Sequence, residues 1–192
     1  PEDLLGKIDP DKAKRGVQLF ASNCASCHTQ RVHELMTPAA IGTDPARARV
    51  TQLTTKGKDG KPLLGLHLTA KVSMDMLKGV LETEKITTAE RKKFARGQPD
   101  PGTWRATGAY RIPYLTGIWA TAPYLHNGSV PTLADLLKRP RDRPKKFYVG
   151  SYNFDPVKVG FTTKKGDIAS SELDTSIEGN RNTGHTAGTE LG

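Results

Sequence analysis

The chain has 192 residues and a net charge of +9, and only 35% of its residues are hydrophobic, against about 45–50% for an average soluble domain on a count that includes glycine. With 19 glycines and 13 prolines it is loop-rich and short of side chains to fill a core, so something other than side chains is expected to occupy part of the interior. No run of about 18 apolar residues occurs, which excludes a transmembrane helix, and the start at Pro1-Glu2-Asp3 fits a processed mature chain, so the lack of a leader says nothing against export.

The first predicted element lies in "DPDKAKRGVQLFASNCASCH". It reads as an amphipathic helix from about Asp11, with Asp9 or Asp11 at its start as a cap. Gly16, Leu19, Phe20 and Cys24 recur on one helical face, and Gly16 and Phe20 are spaced to pack against a second helix. The helix runs into Cys24-Ala25-Ser26-Cys27-His28, which holds both cysteines of the chain.

Four chemistries compete for that stretch. A structural disulfide across two residues would make a tight, strained loop rather than a staple. A thioredoxin-like redox pair needs a βαβ context, and this pair follows a helix. A zinc half-site needs a second pair of ligands at knuckle spacing, and recruiting His33 and His67 gives poor spacing. Cys-x-x-Cys-His is the attachment signature of c-type haem. Two thioethers form on one edge of the porphyrin, the two-residue gap brings both sulfurs to that edge, and His28 supplies the proximal nitrogen to iron. One motif implies one covalent haem c, a large apolar disc that also answers the shortage of core. Attachment of this kind normally occurs outside the cytoplasm, so the periplasm is the expected location.

Further along, Pro38, Gly42 and Pro45 mark loop structure in "RVHELMTPAAIGTDPARARV". "TTKGKDGKP" (54–62) is a polar turn cluster that suits a hairpin. "TAKVSMDMLKGVLETEKITTAERKKFARG" reads as helical, with Val72, Met76 and Val80 in register and Met76 expected in the core. Thr87-Thr88-Ala89-Glu90 carries a capping-box pattern that starts a second helix to about Arg96, and 97–108 is an exposed loop.

"YRIPYLTGIWATAPYLHNGSVPTLADLLKR" (110–139) is an irregular segment rich in aromatics and prolines, followed by a short helix capped by Ser129 or Thr132. The densest basic run is Lys138–Lys146. Its charge favours anionic partners. Nucleic acid is not expected, because the run lacks interleaved aromatics and no nucleic-acid fold motif lies beside it. Residues 140–192 are mostly polar and carry few helix signals.

"GIWATAPYLHNGSVPTLADLL" resembles a motif of the bacterial di-haem cytochrome c peroxidase superfamily, including its rubber-oxygenase-like branch. There a Pro-Tyr-x-His-x-Gly segment and a Thr-Leu-x-x-Leu helix follow a Cys-x-x-Cys-His site. "IGTDPARA" (41–48), "RPKKFYVGSYNFDPVKVGF" (143–161) and "GNRNTGHTAGTEL" (179–191) are similar to segments of that branch. The resemblance covers most of residues 9–191. It departs from the family in two ways: members carry two haem motifs where this chain has one, and members continue past "GTEL" into a closing helix. The chain therefore looks like the second haem domain alone. The implied fold is a mainly α, cytochrome c-like haem domain over 1–192, with long irregular loops and one small hairpin, and residues 140–192 wrap the haem.

The opposite face of the iron has several candidate ligands: Met36, Met74, Met76, His33, His67, His126 and His185. Met36 and His33 lie too near His28 in sequence to cross easily. His126 sits in the most specific motif, in a loop suited to lining a haem. In the related peroxidases the ligand lies further on, shortly before the closing helix, where this chain has His185 between Gly184 and Gly188. The resemblance thus ranks His185 first, His126 second and a methionine third. Trp119 and Tyr124 are expected to pack on the ring, and Arg111 to pair with a propionate. These features suggest an electron-transfer protein that passes single electrons between redox proteins with acidic docking surfaces. The alternative is a haem peroxidase or oxygenase, or the electron-delivery domain of one.

Overall fold

The computed structural model describes residues 6–87, 89–90, 105–166 and 170–189. The chain divides into two compact units, one formed by Pro1–Arg47 with Ala109–Gly192 and the other by Ala48–Gly108.

The first unit opens with helix α1 (Pro10–Asn23). Its start is set locally: Pro10 occupies the first turn, where no amide is needed, and the Asp9 Oδ1 accepts from the amides of Asp11 and Lys12 at 2.9 and 3.0 Å. The helix buries none of its residues, and among the described residues nothing lies within 4 Å of the point where a Gly16 Cβ would be. The expected packing of Gly16 and Phe20 against another helix is therefore not formed among the described residues. Cys24 breaks the helix at φ −123°, and one further turn, α2 (Ala25–His28), continues it.

Strand β1 (Leu35–Met36) leads to α3 (Pro38–Ile41), capped by the Thr37 hydroxyl and ended by Gly42 in the left-handed region at φ 73°. Helix α4 (Ala46–Val50) follows and runs past the end of the unit's first segment. After the chain returns, β4 (Tyr110–Arg111) pairs antiparallel with β1, Leu35 opposite Arg111 and Met36 opposite Tyr110. Helix α6 (Leu133–Leu136) is capped by Thr132. The loop-rich remainder holds two more antiparallel ladders. β5 (Lys146–Val149) pairs with β8 (Ser171–Asp174), and β6 (Phe154–Asp155) pairs with β7 (Gly160–Phe161).

In the second unit, β2 (Thr54–Lys56) and β3 (Pro62–Leu64) form the hairpin foreseen at the polar turn. Helix α5 (Gly65–Thr83) follows, burying Gly65 and Leu66 in its first turn. Its later apolar residues are exposed: Met76, expected in the core, is 68% exposed, and Val72 and Val80 are about half exposed. The apolar register was read correctly, but a helix buries such a stripe only where a second element covers it. The capping box at 87–90 forms, with Thr87 and Glu90 exchanging side-chain-to-amide hydrogen bonds. The helix foreseen from there to Arg96, and most of the loop foreseen over 97–108, lie outside the described residues.

Among the described residues helix accounts for 35% and strand for 15%, so the small ladders make the fold less purely helical than expected. The core is also unusual. Among the described residues six hydrophobic side chains are buried, among them Ile112, Tyr124, Val130 and Phe147, against nine polar or charged ones. Buried polar groups cost free energy unless hydrogen-bonded, so this interior depends on satisfied polar contacts as much as on apolar packing.

Candidate functional site: the cavity between His28 and His185

The α1–α2 junction sets the near wall. The amides of Cys27 and His28 both bond to the Cys24 carbonyl, at 3.1 and 2.9 Å. This turn places Cys24 and Cys27 as neighbours on one helical surface, with His28 directly after them. Neither cysteine is in a disulfide. Burial, and then the neighbouring Cys27, pushes the Cys24 thiol above its ordinary pKa.

The β1–β4 ladder sets the next wall. It continues through the amide of His33 donating to Ile112 and the amide of Ile112 donating to Glu34. That register delivers the Pro113 carbonyl to His28, whose Nδ1 donates to it at 2.9 Å. A carbonyl can only accept, so Nδ1 carries a proton and Nε2 is the ring nitrogen free to face a metal. A metal-binding histidine is normally held in this way.

The far wall comes from the C-terminal segment. His185 adopts φ 51° and Gly184 φ 86°. A Cβ at Gly184 would lie 2.8–2.9 Å from atoms of Thr43, so only glycine lets the backbone approach this closely. Burial, foremost, holds the His185 imidazole below the ordinary histidine pKa, which keeps its lone pair available at neutral pH. Its Nδ1 is buried without a hydrogen-bond partner among the described residues.

Between these walls lies a cavity of about 300 Å³, lined by Cys24, Cys27, His28, Met36, Tyr110, Arg111 and His185, among others. The His28 and His185 ring centres are 6.1 Å apart, with planes inclined at 38°. An imidazole nitrogen lies roughly 1.1 Å from its ring centre and a metal–imidazole bond is about 2.0–2.1 Å, so a metal shared by two imidazoles would hold their centres about 6.3 Å apart. The spacing, the paired thiols on one wall and the orphaned His185 nitrogen all fit a covalent haem.

Of the other sequence candidates, Met36 and Arg111 line the cavity, and His126, Tyr124 and Trp119 do not. The His126 ring stacks on that of Tyr110 at 4.2 Å, its carbonyl accepts from Arg47 Nη1 at 2.6 Å, and its Nε2 is buried without a partner among the described residues. Burial, then Arg47, lowers its pKa. Tyr124 is buried and committed to the frame: its hydroxyl donates to the Val159 carbonyl at 3.1 Å, and its backbone pairs with Val130. Trp119, in a short 3-10 turn at Ile118–Ala120, is not among the cavity residues, whereas Arg111 is.

Several residues that sequence reasoning missed hold the far wall in place. Asn127 Nδ2 donates to the carbonyls of Gly179 and Arg181, and the Ser129 hydroxyl donates to Arg181. The Asp44 carboxylate accepts from the amides of the same two residues. The Pro-Tyr-x-His-x-Gly loop thus acts through Asn127 and Ser129, fastening the segment that leads to His185. The Asp44-Pro45 pair before α4 is a turn-and-cap signal that could have flagged Asp44.

Three of the six cations in the basic run 138–146 are ion-paired in place. Lys138 pairs with Asp135, Arg141 with Asp142, and Lys146 with both Glu172 and Asp174. Arg143 is only 2% exposed.

Thiols, an imidazole held by Pro113 and a second imidazole across an apolar gap fit a c-type cytochrome site, whose chemistry is haem-based electron transfer. The family model for cytochrome c matches residues 13–94, and the model described as RoxA-like, cytochrome c-like matches residues 109–148. These matches support a c-type cytochrome domain of the RoxA-like branch, with covalent haem c as its cofactor. Two relatives from Sinorhizobium fredii (strain NBRC 101917 / NGR234) are similar to it: the uncharacterized protein y4iJ, 32% identical over 96% of this chain, and the uncharacterized protein y4iM, 34% identical over 95%. The chain spans 35% of the length of the first and 41% of the second. No helix among the described residues is long and apolar enough to cross a membrane.

Proposed function

We propose that residues 1–192 act as one mono-haem unit that passes single electrons between redox proteins in the periplasm, with the iron held by His28 on one face and His185 on the other. The observation that carries this reading is the 6.1 Å spacing of the two imidazoles across the cavity. When bound, haem supplies a one-electron ferric–ferrous couple, and bis-imidazole ligation gives a lower potential than His/Met. The chain's own residues do the rest. Cys24 and Cys27 tether the porphyrin edge, and Pro113 fixes the tautomer of His28. His185 fills the site a small oxidant would need, and Arg111 is positioned for a propionate. The net charge of +9 favours encounter with acidic partners, with rates that fall as salt rises.

The test is the ferric absorption and electron paramagnetic resonance spectrum of the haem-loaded chain. A six-coordinate, low-spin iron that turns high-spin in His185→Ala and stays low-spin in His126→Ala supports the reading. A five-coordinate, high-spin iron that reacts with peroxide would sink it in favour of a haem peroxidase or oxygenase. The greater length of both relatives favours a second role for the same site, as the electron-delivery domain of a larger haem enzyme. Linked to such an enzyme, the ferrous domain would be reoxidised at the turnover rate, and a much slower reoxidation would exclude that role.

A further inference from the structure

The most deeply buried cation in the first unit is Arg143, in the middle of the basic run. Its guanidinium meets backbone carbonyls alone. Nε donates to Lys138 at 3.1 Å, Nη1 to Asn182 at 2.6 Å and to Gly184 at 2.9 Å, and Nη2 to Leu136 at 3.1 Å and to His185 at 3.0 Å. Arginine has five N–H donors in a rigid planar fork, and here five bonds use them all. Two acceptors lie at the C-terminal end of α6, in Leu136 and Lys138. The other three belong to residues 182–185.

Those residues hold a conformation that needs such a restraint. His185 is a non-glycine residue in the left-handed region, which persists only where the surroundings impose it. On the Gly184 side the segment already presses against Thr43. Asn182 is held further by its Nδ2 donating to the Pro144 carbonyl at 2.9 Å. The buried charge is balanced nearby by Asp135, which accepts from Thr132 and Lys138. An ammonium is a single point donor without the fork, so lysine would not reproduce these angles.

We propose that Arg143 is the positioning residue for the distal ligand: it clamps the 182–185 backbone against the end of α6 in the turn that aims the His185 imidazole across the cavity at His28. This rests on the reading of His185 as the ligand. A residue that merely stabilised the fold would leave the iron's coordination untouched in any variant that still folds, whereas a positioning residue would not.

The experiment compares the haem-loaded chain with Arg143→Lys, Arg143→Gln and His185→Gly, recording the ferric spectrum, the affinity for added imidazole, and far-UV circular dichroism for folding. Both Arg143 variants are expected to fold and bind haem, to show a mixed-spin iron at neutral pH, and to bind imidazole about tenfold or more tightly than the parent, as the loss of charge-assisted bonds to the loop implies. Lysine should rescue part of the low-spin signal and glutamine less. His185→Gly should be high-spin and fully restored to low-spin by imidazole. If His185→Gly behaves so while both Arg143 variants stay low-spin with parental imidazole affinity, the positioning role is overturned and the ligand reading stands. If His185→Gly stays low-spin, the ligand reading falls and this inference falls with it. If neither Arg143 variant yields folded, haem-loaded protein, Arg143 is a global folding residue and the proposal is wrong.

Discussion

Asp44→Ala tests how the far wall of the cavity is fastened. Asp44 is 1% exposed. Its Oδ1 accepts from the Ala46 amide at 2.8 Å, and its Oδ2 accepts from Gly179 at 2.7 Å and Arg181 at 3.4 Å. Removing the carboxylate leaves two well-bonded amides without acceptors, at about 1–3 kcal/mol each. The 3.4 Å contact is close to the limit of a hydrogen bond and adds little. The expected loss is about 4 kcal/mol, large against a total stability of about 5–15 kcal/mol. Asp44→Asn keeps one acceptor oxygen and should lose about half as much.

The pH dependence of that loss follows from the carboxyl's environment. Burial alone pushes the Asp44 carboxyl up, but the amides of Ala46, Gly179 and Arg181 outweigh it, and the net pKa lies below the ordinary value. A depressed carboxylate contributes fully above its unfolded value of about 3.9 and loses that contribution as pH falls through the folded value. Urea denaturation followed by circular dichroism at pH 7 should show the full difference between parent and Asp44→Ala, and the difference should shrink steadily below about pH 4. A difference under about 1 kcal/mol at pH 7, the worth of one ordinary surface contact, or one that does not change on acidification, would refute the reasoning.

Three further outcomes are expected. Thr132→Ala should lose about 1–2 kcal/mol in a thermal or urea melt, because the Thr132 hydroxyl both caps the Asp135 amide at 3.0 Å and donates to its carboxylate at 2.6 Å; Thr132→Ser should recover most of it. Gly184→Ala combines a left-handed φ with a clash on Thr43, and should cost about 2–5 kcal/mol and move part of the iron to high spin. Asp174, bonded first to Ser176 and also to Lys146, should titrate at about 2 in a carboxyl NMR experiment. Its support for the β5–β8 ladder is then complete above about pH 4 and lost as pH falls through that midpoint, and a midpoint at the ordinary value would contradict the bonding described.

Local signals were read well and long-range ones less so. The α1 cap (Asp9 or Asp11 from sequence, Asp9 in the structure), the hairpin at the 54–62 turn cluster, the capping box at Thr87 and Glu90, and the α6 cap (Ser129 or Thr132 from sequence, Thr132 in the structure) each depend on residues within a few positions of one another, and each formed. The register of α5 was legible, but not whether anything would cover it. The ladders β5–β8 and β6–β7 escaped notice because two- and four-residue strands carry almost no periodicity. Lys138–Lys146 read as one charged surface, yet it contains the buried Arg143, because nothing in a basic run tells which cation meets carbonyls and which meets water.

The motif for haem attachment was legible in sequence alone, since its chemistry is local: two thiols three positions apart and a histidine beside them can share one helical turn whatever the rest of the chain does. Which histidine faces His28 across the cavity was decided by tertiary structure. Sequence left His126 and His185 both open, and the difference between them is made by Asp44, Asn127, Ser129 and Arg143, which hold a distant segment by its backbone. Backbone amides and carbonyls are the same at every residue, so contacts of that kind leave no pattern in the order of side chains.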